Sequence, residues 1–197
     1  MSHRIKFTRR KHKKHLICKS FSSTSPDSYE AGLELGEALN EIQPETIILF
    51  SSFRYDHEDL LEGLFNGLET EDVILFGGTG DGFFETGEAA LHGVCALGFH
   101  SGGKIEWSLS VKQGAQADPE TKTKECAADV LEQLNGRIAM AFVMAHLHCD
   151  GVKIAQAAQS TLKVPLIGGL AGDDFNFEKG FVFADGRFYD DAVAILG

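Results

Sequence analysis

The stretch VPLIGGLAGDDF, residues 164–175, starts as a buried strand and breaks into glycines where two aspartates arrive. The same grammar occurs earlier as DVILFGGTGDGF, residues 72–83. In each, an apolar run leads into a glycine pair, Gly77-Gly78 or Gly168-Gly169, and then into acid, Asp81 or Asp173 and Asp174. Glycines at a strand end let the backbone turn through positive φ and approach another group closely. Working outward, Asp56 matches Asp150 ahead of a helical pattern, and GVCALG (93–98) matches AVAILG (192–197). An offset of about 91 to 99 residues with this agreement predicts an internal duplication into two lobes, not a short-repeat solenoid. The expected boundaries are a basic arm at 1–15 and a domain at 16–197, with lobe one at 45–135 and lobe two at 137–197.

The elements follow from periodicity. LICKSFSS (16–23) reads as a first strand, and the next segment as a helix with Ser25 as cap and Pro26 in the first turn. ETIILFSS (45–52) is a buried strand, and Asp56 caps a helix with Leu60, Leu61, Leu64, Phe65 and Leu68 on one face. Residues 83–113 read as hairpins, with Ile105, Trp107, Leu109 and Val111 in strict alternation. Asp118 caps another helix; residues 137–145 form a strand; Asp150 caps a helix carrying Ile154, Ala155, Ala158 and Leu162; and Asp185-Gly186 marks a hairpin turn.

Strand, helix, strand, glycine loop, hairpin is therefore the order in each lobe. A right-handed crossover makes the first strands parallel, and the hairpin extends the sheet antiparallel. The expected class is α/β, with internally duplicated lobes, mixed sheets and outer helices about a pseudo-twofold axis. A four-layer α/β/β/α stack is one form, and a single continuous sheet the alternative. Where GVCALG continues into KIEWSLSV, the matching AVAILG ends the sequence. Its last strand is expected to keep an unpaired edge, or to be paired by another lobe or molecule, so the chain reads as a fragment that could form a homodimer there.

The formal net charge is −11 over 197 residues, but residues 1–19 hold eight Lys or Arg and no acid, leaving −19 for the rest. Such a body repels phosphate backbones, which argues against nucleic acid as a partner. The arm reads as a solvated block of like charge, and the apolar run after it, Leu16 to Cys18, is too short for a signal peptide. No stretch reaches the ~20 apolar residues of a membrane helix. Cys18, Cys95, Cys126 and Cys149 are scattered with no C-x-x-C pair, as in a cytoplasmic protein with reduced thiols.

In open α/β sheets, ligands bind at the carboxyl ends of strands. Gly77, Gly78, Thr79, Gly80 and Asp81 in one loop, and Gly168, Gly169, Gly172, Asp173 and Asp174 in the other, are accordingly candidate ligand-binding residues. Carboxylates there suit an ammonium group, and glycine amides a carboxylate. The plainer account is that the glycines shape turns and the aspartates accept neighbouring amides. GGTGDG lacks the spacing of a dinucleotide fingerprint and the Gly-Lys-Ser/Thr of a Walker loop. MAHLHCD (144–150) sets His146 and His148 on one side of a turn, with Cys149 beside a helix start. These residues line a polar pocket or simply make the turn or, alternatively, form a thiol- or metal-dependent hydrolase site. Neither a base nor an oxyanion hole accompanies Cys149 in sequence, and no metal or cofactor is expected.

The combination of IILFSSFRYDHEDLLEGL (47–64), VILFGGTGDGFF (73–84), HGVCALGF (92–99) and VPLIGGLAGDDFNFEKGFVFADGRFYDDAVAIL (164–196) resembles the N-terminal part of the FIST sensory domain family over residues 16–197. Gly-Gly-x-x-Gly-Asp at 168–173 is its most specific piece. The first copy in relatives commonly reads Gly-x-Ser-x-x-Gly; this chain has Gly77-Gly78-Thr79-Gly80, which puts any hydroxyl role on Thr79. The resemblance implies a cytoplasmic, non-catalytic input module for signal transduction. It further implies a small-molecule ligand such as an amino acid, and a link to effectors such as histidine kinases, cyclic-dinucleotide enzymes or chemotaxis receptors.

Overall fold

The computed structural model describes residues 16–197, so the expectation for the basic arm at 1–15 lies outside the described residues. The first half runs β1 (Ile17–Ser23), α1 (Ser28–Asn40), β2 (Thr46–Ser52), α2 (His57–Leu68), β3 (Ile74–Gly80), a hairpin of β4 (Phe83–Glu85) and β5 (Glu88–Ala90), and β6 (Val94–His100). The second half repeats it: β7 (Leu109–Gln113), α3 (Pro119–Gln133), β8 (Ala141–Ala145), α4 (Gly151–Leu162), β9 (Leu166–Leu170), a hairpin of β10 (Val182–Ala184) and β11 (Arg187–Tyr189), and β12 (Ala192–Leu196).

The sheets repeat as well. One has the order β1-β6-β2-β3 and the other β7-β12-β8-β9, with β2–β3 and β8–β9 parallel. β10 and β11 of the second half then extend the first sheet, β10 lying antiparallel to β3. The fold is α/β and internally duplicated, with mixed sheets in four layers. Continuous apolar runs split between two faces because successive residues of a strand point opposite ways. Ile47 and Leu49 pack with Leu35, Leu60 and Leu64 under α1 and α2; Ile48 packs with Phe76, Met144 and Leu196 between the sheets; Val193 and Ile195 pack with Val130 and Ile154 under α3 and α4.

Three sequence expectations change. The repeat begins at β1, not at residue 45, and residues 109–113 open the second unit instead of pairing with β6. The link is folded on Glu45, whose carboxylate accepts the Ser101 hydroxyl at 2.5 Å and the Ser101 and Gly103 amides at 3.0 and 2.9 Å, turning the chain from one sheet to the other. The final strand has no free edge, because β12 is flanked by β7 and β8. The cap of α1 is Asp27, not Ser25: its carboxylate accepts the Glu30 amide at 2.9 Å, which leaves Pro26 outside the helix. Asp56, Asp118 and Asp150 cap their helices as expected.

The first helix pair is packed backbone to backbone, a feature missed by counting leucines. A Cβ at Gly32 would stand 2.1 Å from the Leu60 carbonyl oxygen, and one at Gly63 2.1 Å from that of Tyr29. Gly36 and Gly67, four residues on, are as tight at 2.3 and 2.5 Å from the carbonyls of Leu64 and Leu33. The backbones cannot separate without opening the leucine core beneath them, so Gly63→Ala is expected to lower the unfolding free energy by about 3 kcal/mol in denaturant titrations.

Candidate functional site

The two glycine turns meet, and Thr79 joins them. Its N–H donates to the Phe181 carbonyl at 2.9 Å, and its carbonyl accepts the Gly172 N–H at 2.8 Å. Its hydroxyl donates to the Gly172 carbonyl at 2.6 Å and accepts the Phe181 N–H at 2.9 Å. Thr79 is buried, so the hydroxyl is a clasp between halves of the chain. The glycine pairs serve the strands: a Cβ at Gly77 or Gly168 would lie 1.8 Å from the Leu49 or Val143 carbonyl oxygen of the parallel neighbour.

The aspartates beside these turns are occupied locally. Asp173, 1% exposed, accepts the amides of Phe177, Glu178 and Lys179 at 2.8, 2.6 and 3.0 Å. Burial works against its charge, but those amides outweigh burial and hold its carboxyl below the usual range. Asp174 pairs with Arg54 at 2.6 Å and lies 3.9 Å from His92. Asp81 accepts the Phe175 amide at 3.2 Å and presses against Gly172. Asp173 thus accepts neighbouring amides, whereas Asp81 and Asp174 reach across to other loops.

Beside the clasp, between the sheets, lies an open cavity of about 880 Å³. Its walls are Ile48, Phe50 and Phe76 of one sheet and Phe142, Met144, Ile167 and Leu170 of the other, with Cys95 and Leu97 behind. Polar groups form a fringe of Ser20, Thr79, Glu85 and Thr86. Of the candidate residues, Thr79, Gly80, Gly168 and Gly169 line this space; Gly77, Gly78, Asp81, Gly172, Asp173, Asp174, His146 and His148 do not. The lining that sequence reasoning missed comes from inward residues of the strands, whose run 47–50 gives no sign of which face is filled. A family model described as the FIST N domain matches residues 5–137 and again residues 92–197.

The chain belongs to the FIST N domain family. FIST domains are sensory modules of signal transduction. A comparison with curated proteins found no match to the chain. The two matches overlap at residues 92–137 and together span both units of this FIST fold, in keeping with the repeated strand order.

The His-Cys turn of this FIST domain lies away from the cavity. His146 is buried, its Nδ1 accepts the His148 amide at 3.2 Å, and burial followed by the neighbouring His148 lowers its pKa. His148 is exposed, with Nε2 3.1 Å from the Glu178 carbonyl. Burial, and then Asp191, pushes the Cys149 thiol up to about 11, the opposite of an activated nucleophile. Among the described residues, no group of three His, Cys, Asp or Glu side chains converges as a metal donor set.

A different histidine bears on stability. His57 is buried among the rings of Phe181, Phe183, Phe188 and Phe53, and its Nε2 has no hydrogen-bond partner. Burial, partly offset by Asp56, lowers its pKa to about 4. As pH falls the unfolded chain takes up this proton first, so the stabilising effect of a neutral His57 is complete above about pH 6.5 and is lost toward pH 4, by about 3 kcal/mol in all. Denaturant titrations against pH should show that loss shrinking in His57→Phe. Thr79→Val is expected to cost about 3 kcal/mol in the same measurement, because it strips the Gly172 carbonyl and Phe181 amide of their shared hydroxyl, whereas Thr79→Ser keeps most of it.

Proposed function

We propose that this FIST N domain is a non-catalytic input module whose small-molecule ligand occupies the cavity between the sheets. The observation that carries this reading is the unfilled apolar space of about 880 Å³, within the size range of ligand pockets and fringed by few polar groups. Space lined by Ile48, Phe50, Phe76, Phe142 and Met144 favours an apolar body. Glu85 at the mouth is the one carboxylate in the lining, placed to accept an ammonium group. Within the amino-acid class expected from the sequence, the fit is therefore to members with large apolar side chains, with Glu85 replacing Asp173 and Asp174 as the acceptor.

Occupancy would reach an effector by favouring one arrangement of the two units over another, since a ligand shifts an equilibrium only through differential affinity. A cytoplasmic setting belongs to the same reading. Cys95, Cys126 and Cys149 are buried free thiols and Cys18 an exposed one, and among the described residues no helix is long and apolar enough to cross a membrane.

The test uses Gly169→Trp. A Cβ at Gly169 has open space around it, so the indole can fill the cavity without backbone conflict. In thermal-shift and calorimetric titrations, leucine, methionine or phenylalanine should stabilise the parent protein, Gly169→Trp should abolish the effect, and Glu85→Gln should weaken binding about tenfold, the loss of one charged hydrogen bond. Equal responses in parent and Gly169→Trp would remove the ligand from this cavity.

A further inference from the structure

The two units of the repeat differ in where their hairpins go. In the second unit the hairpin β10–β11 crosses to the other sheet, where β10 pairs with β3 as Val182↔Gly78, Phe183↔Gly77 and Ala184↔Phe76. The same step in the first unit would carry β4 to β9, but among the described residues β4 pairs only with β5 and the outer edge of β9 is unpaired. Phe84 and Phe183 occupy equivalent hairpin positions, one residue before the ends of β4 and β10. Phe183 is 0% exposed under α2; Phe84 is 91% exposed. A ring that is core in one copy stands in solvent in the other.

We propose that the β4–β5 hairpin is a flap that docks antiparallel on the free edge of β9, as Phe83↔Gly169, Phe84↔Gly168 and Glu85↔Ile167, and so closes the cavity. Four observations support the cis occupant. Flap and edge already face each other, since Phe84, Glu85 and Thr86 line one side of the cavity and Ile167 to Leu170 the other. A groove of about 200 Å³ lies beside β9, lined by Gly151, Ile154, Ala155 and Gly168, where the second unit's equivalent of the Phe183 site would receive Phe84.

The shorter connection reaches. Residues 173–180 have no counterpart in the first half, but Gly172 and Phe181 at their ends both bond to Thr79, so that excursion adds no span. In the docked form Asp81-Gly82 would make the same step, and Gly82, already at φ +143°, supplies the freedom for it. Phe83 is buried at the base of the flap beside Gly93, but beyond it the present hold is light. Ser20 donates to Glu85 at 2.5 Å and Ser22 to Glu88 at 3.0 Å, both from side chains at the sheet's edge strand, and such bonds contribute little. An unpaired strand edge is a standing template for another strand, and here the repeat names the segment that fits it.

Docking and ligand exclude each other, because pairing brings together the walls that the cavity separates. Only this consequence rests on the ligand reading above; the pairing is tested without ligand, so the two fail separately. The experiment uses the full chain with Glu85→Cys and Ile167→Cys, a directly opposed pair in the docked register, in a Cys18→Ser, Cys95→Ala background. Ile167 is 55% exposed and Ala194 stands where Cys95 does in the other unit, so the reduced protein should melt near the parent temperature. With oxidised glutathione as the electron acceptor, the two introduced thiols should form a disulfide within one chain, glutathione leaving reduced.

Adding Phe84→Ser should slow that cross-link at least fivefold, and adding Gly169→Trp should block it. Hydrogen exchange offers an independent reading: protection of the β9 amides should fall in Phe84→Ser. The proposal is overturned if the disulfide fails to form, if it forms only between chains, which would assign the edge to a second copy, or if Phe84→Ser changes neither cross-linking nor exchange.

Discussion

Everything in this fold turns on the crossing at Thr79. A domain built from two similar units needs a reason for them to share one core, and the reason here is a pair of strand ends that hydrogen-bond to each other. Thr79, itself buried, uses its amide, carbonyl and hydroxyl on the half-buried Gly172 and Phe181, where an unmade bond is costly. The crossing sends β10 to the edge of β3 and brings Phe183 under α2, so the second unit completes the core of the first. Asp173, Asp81 and Asp174 then fix the loops that leave the crossing, which accounts for acid at both turns.

The same crossing leaves the domain unequal. Val182 and Ala184 fill the layer between the sheets on one side, while the hairpin on the other stops short of β9 and leaves about 880 Å³ open. Protein interiors are packed as densely as organic crystals, and space on this scale is what the ligand proposal rests on. For a sensory family the asymmetry is useful. On the proposed reading, two arrangements of one hairpin, separated by a few hydrogen bonds and the burial of a phenylalanine, would give a module that a small ligand biases.

Much of this was legible in particular residues. Gly77-Gly78 and Gly168-Gly169 revealed the duplication, Asp56, Asp118 and Asp150 marked three helix starts, and the apolar run at 47–50 marked a buried strand. Elsewhere the reading went astray for identifiable reasons. The alternation through Ile105 and Val111 looked like a continuation of one hairpin, because period-two pattern is silent about which strand lies alongside. Gly32, Gly36, Gly63 and Gly67 passed as helical spacing, since a glycine's value there lies in how near another backbone comes. Asp173 drew attention as a ligand acceptor, and its amide partners four to six residues on could have been suspected from the tight NFEKG segment that follows.

By itself, the sequence determined the elements, their twofold repetition and the apolar character of both strand faces, because these depend on spacing along the chain. Tertiary structure alone decided that β12 would be central, that β10 would cross and β4 would not, and which faces would be filled. Those outcomes depend on pairings between residues 79 to 108 positions apart. Equivalent segments with almost the same local pattern can therefore end in different environments, as Phe84 and Phe183 do.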